Sequence, residues 1–154
     1  RRVPTVGAQV FVHMIPVRSG ETAAEIVERA REGTPFAALA RQHSVDSELK
    51  ESGGVVGWLP RGVLNRDFDS VAFNLEPGSI GGPVYVDGDT LVVVLVTERA
   101  EARDIDERYL RVLRSKALDE WYAREFSRHE IEFHGFRNGY DSETDAWVRE
   151  QLNL

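Results

Sequence analysis

The sequence predicts an α+β domain in which a few helices cover one small β-sheet. Three observations favour this class. Apolar residues alternate along residues 6–17 with the period of a strand, two helical stripes follow, and a β-branched hairpin ends near residue 96. The resulting order of strand, two helices, strand, helix and hairpin is typical of a small sheet with helices packed on it.

The composition limits the classes of function. A chain of 154 residues with 42% hydrophobic residues can build a single core. Its formal net charge of -7 argues against a nucleic-acid binder, because such proteins need a Lys/Arg excess. The chain has no cysteine, which excludes disulfides, thiolate zinc sites and cysteine nucleophiles and suits an extracytoplasmic bacterial protein.

The first strand and its two following helices have clear signals. Alternation along residues 6–17 places His13 on the opposite face from Val12 and Met14. Ser19 offers an N-cap for a first helix that stops at Gly33. Thr34 and Pro35 are then predicted to start a second helix, as a cap followed by proline in the first turn.

The middle of the chain is predicted to alternate between loops and short elements. Residues 48–52 are expected to form an irregular polar loop, and GGVVGWL at 53–59 a strand with close backbone approaches. A short helix follows at about 65–73.

The last part of the chain is predicted to form a hairpin and a long helix. Residues 84–86 and 90–96 flank the turn residues Asp87-Gly88, and the second strand is so β-branched that we expect both its faces to be covered. Asp104 and Glu107 are predicted to form a capping box for a helix that reaches about Glu130. Its aromatic face needs a partner, which is either the sheet domain or another chain.

Four stretches resemble the parvulin family of peptidyl-prolyl cis-trans isomerases. They are VHMI at 12–15, GTPFAALARQHSVD at 33–46, GGVVGW at 53–58 and FDSVAFNLEPGSIGGPV at 68–84. The resemblance implies an FKBP-like, four-stranded antiparallel sheet with three to four packed helices, followed by a long C-terminal helix. It divides the chain into a parvulin-like domain at 6–100, the long helix at 103–133 and a tail at 134–154 that is docked or swapped.

The resemblance also implies a site. The residues that match the family's polar positions are His13, Asp46 and Thr90, and those that match its proline pocket are Val56, Leu64 and Phe68. The glycine-rich strand of the family lines the substrate cleft, where small side chains let a peptide backbone approach the sheet. The reaction requires no cofactor and no metal.

Four of these residues have a structural alternative that the sequence leaves open. His13 is also explained as a histidine hydrogen-bonded within the sheet, and Asp46 as a helix-end or turn aspartate. Leu64 and Phe68 also fit the core of the short helix. Threonine at position 90 departs from the family, in which this position usually carries a second histidine, and this predicts reduced activity.

Two functions therefore remain open from the sequence. The first is a prolyl isomerase that acts on unmodified X-Pro bonds of extended or unfolded polypeptides. The phospho-specific branch of the family has several basic residues in the loop after the first strand, whereas this loop offers only Arg18 to hold a phosphate. The second is a peptide-binding chaperone module that does not catalyse. Resemblance to secreted foldases of the PrsA and SurA type implies an extracytoplasmic parent protein, and the long helix or tail leaves a homodimer open.

Overall fold

The computed structural model describes residues 3–128 and confirms the predicted α+β class. Within this range, four strands form one antiparallel sheet in the order β2-β1-β4-β3, and helices lie against both of its faces. The elements, in chain order, are β1 (Val6–Val17), α1 (Gly20–Arg31), α2 (Phe36–His43), α3 (Ser47–Ser52), β2 (Val55–Pro60), α4 (Arg66–Ala72), β3 (Ser79–Asp87), β4 (Thr90–Asp104) and α5 (Glu107–Arg128).

The two central strands separate two hydrophobic clusters, because successive side chains of a strand point to opposite faces. Ile15 of β1 and Val93 of β4 lie in the cluster that α1 and α2 cover, on what we term the α1/α2 face. Val12 and Val94 lie in the cluster that α4 covers, on the α4 face. The prediction that both faces of β4 are covered is therefore confirmed.

The side-chain cap predicted for α1 is present, and the structure shows a side-chain cap at the start of α4 as well. The Ser19 hydroxyl accepts a hydrogen bond from the Thr22 backbone N–H at 3.5 Å, and the Asn65 side chain accepts one from Phe68 N–H at 2.8 Å. Each cap satisfies a backbone donor that has no partner within its helix. The start of α2 differs slightly from the prediction, because Pro35 itself occupies the N-cap position and no side chain caps the helix.

The prediction of an irregular loop at 48–52 is wrong, since Ser47–Ser52 forms α3. The Asp46 side chain accepts a hydrogen bond from Leu49 N–H at 2.9 Å and so caps the start of the helix. Gly53, with a left-handed φ of 72°, ends it. These two capping residues outweigh the polar composition of a segment that buries no side chain.

The junction before α5 also differs from the prediction. β4 continues to Asp104, so Asp104 belongs to the strand, and the predicted capping box is wrong. Asp106 starts the helix instead, because its carboxylate accepts a hydrogen bond from Arg108 N–H at 2.9 Å. The buried Gln9 side chain fixes the end of β4 by donating hydrogen bonds to the carbonyl oxygens of Arg103 and Asp104, both at 2.9 Å.

The chain divides into two compact units, residues 1–116 and 117–154. In the first unit, Leu110 of α5 is buried and Tyr109 packs against the α4-face cluster. In the second, Trp121, Tyr122 and Phe126 are about half exposed, and their rings contact one another. Among the described residues, no helix has the length and apolarity needed to cross a membrane. The predicted tail at 134–154 lies outside the described residues.

Candidate functional site

The first two glycines of GGVVGW make room for the protein's own elements rather than for a peptide. A Cβ atom added to Gly54 would lie 2.9 Å from the Met14 carbonyl oxygen and 3.3 Å from the Ala40 Cβ atom of α2. A Cβ atom added to Gly53 would lie 2.9 Å from the Ala37 Cβ atom. Both glycines therefore let β2 start close to β1 and α2. A Cβ atom added to Gly57 would meet no atom within 4 Å, so for this glycine the expectation of a cleft stays a prediction.

A bulge in β2 turns Val56 onto the α4 face. Val12 of β1 pairs with Gly57, but His13 pairs with Val55, so Val56 is an extra residue between the two pairs. Val56 packs against the α4-face cluster, while its neighbour Val55 lies opposite His13 and is exposed.

The structure brings the three predicted pocket residues together in this cluster. Phe68 is fully buried, while Val56 and Leu64 pack against the cluster with part of their surface exposed. Met14, on the same face of β1, is also partly exposed and packs against the same cluster. We term Met14, Val56 and Leu64, with Phe68 beneath them, the α4-face patch. Phe68 is thus a core residue that supports the patch from below.

His13 lies on the other face of the sheet. The centroid of its ring is 5.7 Å from that of Phe11 and 6.4 Å from that of Phe36 in α2. Burial lowers the pKa of His13, so the imidazole is neutral at pH 7. The structure therefore does not bring His13 together with the α4-face patch, and the neighbours of its ring are aromatic.

Asp46 lies in a segment that is tied to the end of β1. The buried Ser44 hydroxyl donates to the Asp46 carbonyl oxygen at 3.1 Å and accepts from the Asp46 N–H at 3.2 Å. Val45 N–H donates to the Pro16 carbonyl oxygen at 3.0 Å. One carboxylate oxygen of Asp46 caps α3, but the residue is exposed, so its carboxylate is also accessible to solvent.

Thr90 is distant from His13 along the sheet. It starts β4 and pairs with Asp87 of the hairpin, whereas the residue of β4 that pairs with His13 is Leu95. Five residues of strand separate the two positions by about 16 Å. The structure therefore does not bring Thr90 and His13 together, and the residue opposite His13 is apolar.

The loop between β2 and α4 is held by two charged residues that the sequence reasoning missed. The Asp69 carboxylate accepts a hydrogen bond from Gly62 N–H at 2.8 Å, and the Lys116 ammonium donates to the carbonyl oxygens of residues 62–64 at 3.1, 2.8 and 2.8 Å. The pKa of Asp69 is raised by desolvation, which exceeds the lowering effects of the Gly62 N–H and of Arg61 and Lys116. Lys116 follows Tyr109 by seven residues, and this helical spacing was the available signal.

A separate groove of about 420 Å³ lies at the other end of the sheet. Phe11, Gly57, Trp58, Arg103 and Arg108 are among the residues that line it. The Arg103 guanidinium lies 4.6 Å from the centroid of the Trp58 ring. None of the predicted site residues lines this groove. Within residues 3–128, the structure shows no group of three His, Asp or Glu side chains that could hold a metal ion.

Comparison with known proteins gives a consistent result. A family model described as Rotamase, PPIC-type PPIASE domain, matches residues 17–98, which is more than half of the chain. The Foldase protein PrsA of Caldanaerobacter subterraneus is 41% identical over 70 residues, which cover 46% of this chain and 23% of the relative. The Foldase protein PrsA 3 of Bacillus cereus is 34% identical over 99 residues, which cover 64% of this chain and 35% of the relative.

A solved structure extends the similarity over more of the chain. The crystal structure of a peptidylprolyl isomerase (PrsA) from Bacillus cereus matches with a TM-score of 0.63 and 25% identity, covering 86% of this chain and 54% of that one. The chain spans 23% and 35% of the length of the two curated relatives above.

Proposed function

Since the chain belongs to the PpiC-type peptidyl-prolyl isomerase family, we propose that it accelerates cis-trans isomerisation of X-Pro bonds in extended or unfolded polypeptides. The family predicted from the four motifs is confirmed by this membership, and the enzyme class of the family supports the proposal. The activity of the whole protein and its clients are proposals, because this chain matches only a part of each relative.

The α4-face patch is the observation that carries the proposal. A buried Phe68 supports two partly exposed apolar side chains, Val56 and Leu64, on either side of it in the chain. The bulge in β2 fixes the orientation of Val56, and the Asn65 cap fixes the start of the helix that carries Phe68. The patch is thus a rigid apolar surface on which a pyrrolidine ring can pack.

Such a surface suits a reaction that breaks no bond. Rotation about the X-Pro amide faces a barrier of about 18–20 kcal/mol, because the C–N bond has partial double-bond character. A catalyst must bind the twisted amide more tightly than either planar isomer. Packing the proline ring on the α4-face patch holds one side of the bond while the other side turns. Removal of water from the amide also disfavours the charge-separated planar form, which lowers the barrier.

We assign different roles to the three polar residues. Asp46 is exposed at the end of β1 and is the candidate to contact the substrate backbone. His13 is proposed as a positioning residue, because its ring contacts those of Phe11 and Phe36 on the face of β1 opposite to Met14. Thr90 keeps only a peripheral role at the tip of the hairpin.

One observation favours the second candidate function, a peptide-binding module without catalysis. Leu95 lies opposite His13, and Thr90 is five residues away along β4. The paired polar arrangement that the family resemblance implies at this place is therefore not formed. In this case the α4-face patch binds polypeptides but does not accelerate rotation.

The partners and the location belong to the same proposal. Unmodified proline-containing polypeptides are the proposed clients. The proposed location is extracytoplasmic, which is supported by the similarity to foldase proteins of the PrsA type. Formation of a homodimer through α5 or the tail stays a prediction, for which the exposed Trp121, Tyr122 and Phe126 are the supporting feature.

The two candidate functions are separated by NMR exchange spectroscopy on a proline-containing tetrapeptide. We expect the wild-type protein to produce cis-trans exchange peaks. Asp46→Ala removes the carboxylate and the α3 cap, whereas Asp46→Asn keeps a good capping residue and removes only the charge. Loss of exchange in both variants supports contact of the carboxylate with substrate. Shifted peptide signals without exchange in the wild type would favour the binding module.

A further inference from the structure

We propose that Lys116 is a positioning residue for the isomerase site, because its ammonium holds the loop that presents Leu64 over Phe68. This inference rests on the proposed function of the α4-face patch. It makes the first part of α5 a component of the site, although α5 follows the sheet domain in the chain.

The loop is held from two sides at one residue. Gly62 donates its N–H to Asp69 of α4, and its carbonyl oxygen accepts a hydrogen bond from Lys116 of α5. Gly62 has a φ of 90°, and a Cβ atom at this position would lie 3.2 Å from the Leu113 Cδ2 atom of α5. We term the contacts of Asp69 and Lys116 with residues 62–64 the loop clamp. Helix α5 therefore lies directly on the backbone of this loop.

The three acceptors of Lys116 are consecutive carbonyl oxygens, at Gly62, Val63 and Leu64. In an extended strand, neighbouring carbonyl groups point in opposite directions, so they converge on one point only where the chain turns. A charge that binds all three selects this turned conformation of the loop. Leu64 is the third of these residues, so the same contact fixes the backbone of a residue in the α4-face patch.

Lysine fits this position better than arginine does. An ammonium has three donors on one atom, whereas a guanidinium spreads its donors in a plane. Lys50 and Lys116 are the only lysines of the chain, in a total of 19 Lys and Arg. Most cationic side chains of this chain are therefore arginines, and one of its two lysines lies where three acceptors converge.

The clamp acts on the population of the binding-competent loop and makes no contact with the reacting bond. The apparent dissociation constant of a ligand is inversely proportional to the fraction of molecules whose loop is in the binding-competent conformation. Lys116→Met keeps the length of the side chain and removes the three donors. We expect it to raise KM about fivefold with kcat unchanged, and Lys116→Arg to recover part of the loss.

The experiment measures KM and kcat by exchange spectroscopy for wild type, Lys116→Met, Lys116→Arg and Lys50→Met. Lys50 is exposed on α3 and provides the matched control, which we expect to behave as wild type. Thermal unfolding of each variant shows whether the fold is intact. Nitrogen-detected spectra of the two lysine ammonium groups provide a readout that needs no activity: Lys116 protons should exchange with water more slowly than those of Lys50.

The outcomes separate this inference from the proposed function. An unchanged KM in Lys116→Met, with an active wild type, overturns the clamp and leaves the isomerase proposal intact. A wild type without exchange activity overturns the isomerase proposal. The clamp is then judged by peptide affinity and by the ammonium signals: equal affinity of wild type and Lys116→Met, or equal proton exchange at the two lysines, overturns it.

Discussion

The two hydrophobic clusters of the sheet differ in how completely the helices cover them. On the α1/α2 face, Ile26 and Leu39 are fully buried against the sheet. On the α4 face, Phe68 is equally buried, but Val56 and Leu64 above it keep exposed surface. The first cluster is covered by α1 and α2, of 12 and 8 residues, and the second by α4, of 7 residues, with Tyr109 of α5 packed against it. The first cluster stabilises the fold, and the incomplete cover of the second leaves an apolar surface for a ligand.

The largest effect, on the free energy of unfolding, is expected from a cavity in the cluster of the α1/α2 face. Ile26→Ala should lower the free energy of unfolding by about 2–5 kcal/mol, because a fully buried side chain is removed from a packed cluster. Urea unfolding followed by circular dichroism measures this. The KM of the folded protein should not change. A changed KM would contradict the assignment of stability to the α1/α2 face and of substrate binding to the α4 face.

Substitution of two adjacent valines in β2, one at a time, compares the two faces directly. Val56→Ala should lower kcat/KM about tenfold, equivalent to about 1.4 kcal/mol, since Val56 belongs to the α4-face patch. Val55→Ala is the matched control, because Val55 lies opposite His13 and is 43% exposed. Equal loss of activity in the two variants would show that side-chain orientation in β2 has no role in binding.

A smaller effect is expected from His13 as the pH falls. Burial lowers the pKa of His13 below its ordinary value, so the unfolded state binds more protons than the folded state between these two values. Stability of the wild type should therefore decrease, relative to His13→Gln, as the pH falls through about 6.5. Urea unfolding of both proteins at several pH values from about 7.5 to about 5 measures the difference. A difference that stays constant with pH would contradict a buried imidazole.

The smallest effect is expected from Asp69, and its sign is opposite. Desolvation raises the pKa of Asp69, so the folded state binds more protons between the ordinary and the raised values. Relative to Asp69→Asn, the wild type should gain stability as the pH falls through this window, because the cost of a buried charge is removed. Unfolding curves of the two proteins in acid test this, and a relative loss of stability there would contradict it.

Local signals in the sequence predicted most of the fold. Ser19 and Asn65 mark boundaries that the structure reproduces. The hairpin turn lies at Gly88-Asp89, one residue after the predicted Asp87-Gly88, because Asp87 ends β3 and pairs with Thr90. Helix α3 was missed because it has six residues and buries none of them, so it leaves no apolar stripe to read. Its two capping residues, Asp46 and Gly53, are the signals in the sequence that indicate this helix.

The site was predictable only in part, because it depends on register and on distant contacts. The motifs brought Val56, Leu64 and Phe68 to one cluster. Register shifts between paired strands leave no signal in the sequence, and these shifts decide which residue lies opposite His13. The contacts of Lys116 span 52 to 54 residues of chain, so its spacing from Tyr109 indicates the face of α5 on which it lies but not the carbonyl oxygens that it binds.

Peptide-induced shifts on the two faces test the central claim most directly. Met14 is the only methionine of the chain and lies in the α4-face patch, so its methyl group gives a single carbon-13 reporter. Trp58, whose ring contacts Phe11, reports on the other face. Titration with a proline-containing tetrapeptide should shift the Met14 methyl signal and leave the Trp58 indole signal unchanged. A shift of Trp58 with an unchanged Met14 would contradict the assignment of the α4-face patch as the site.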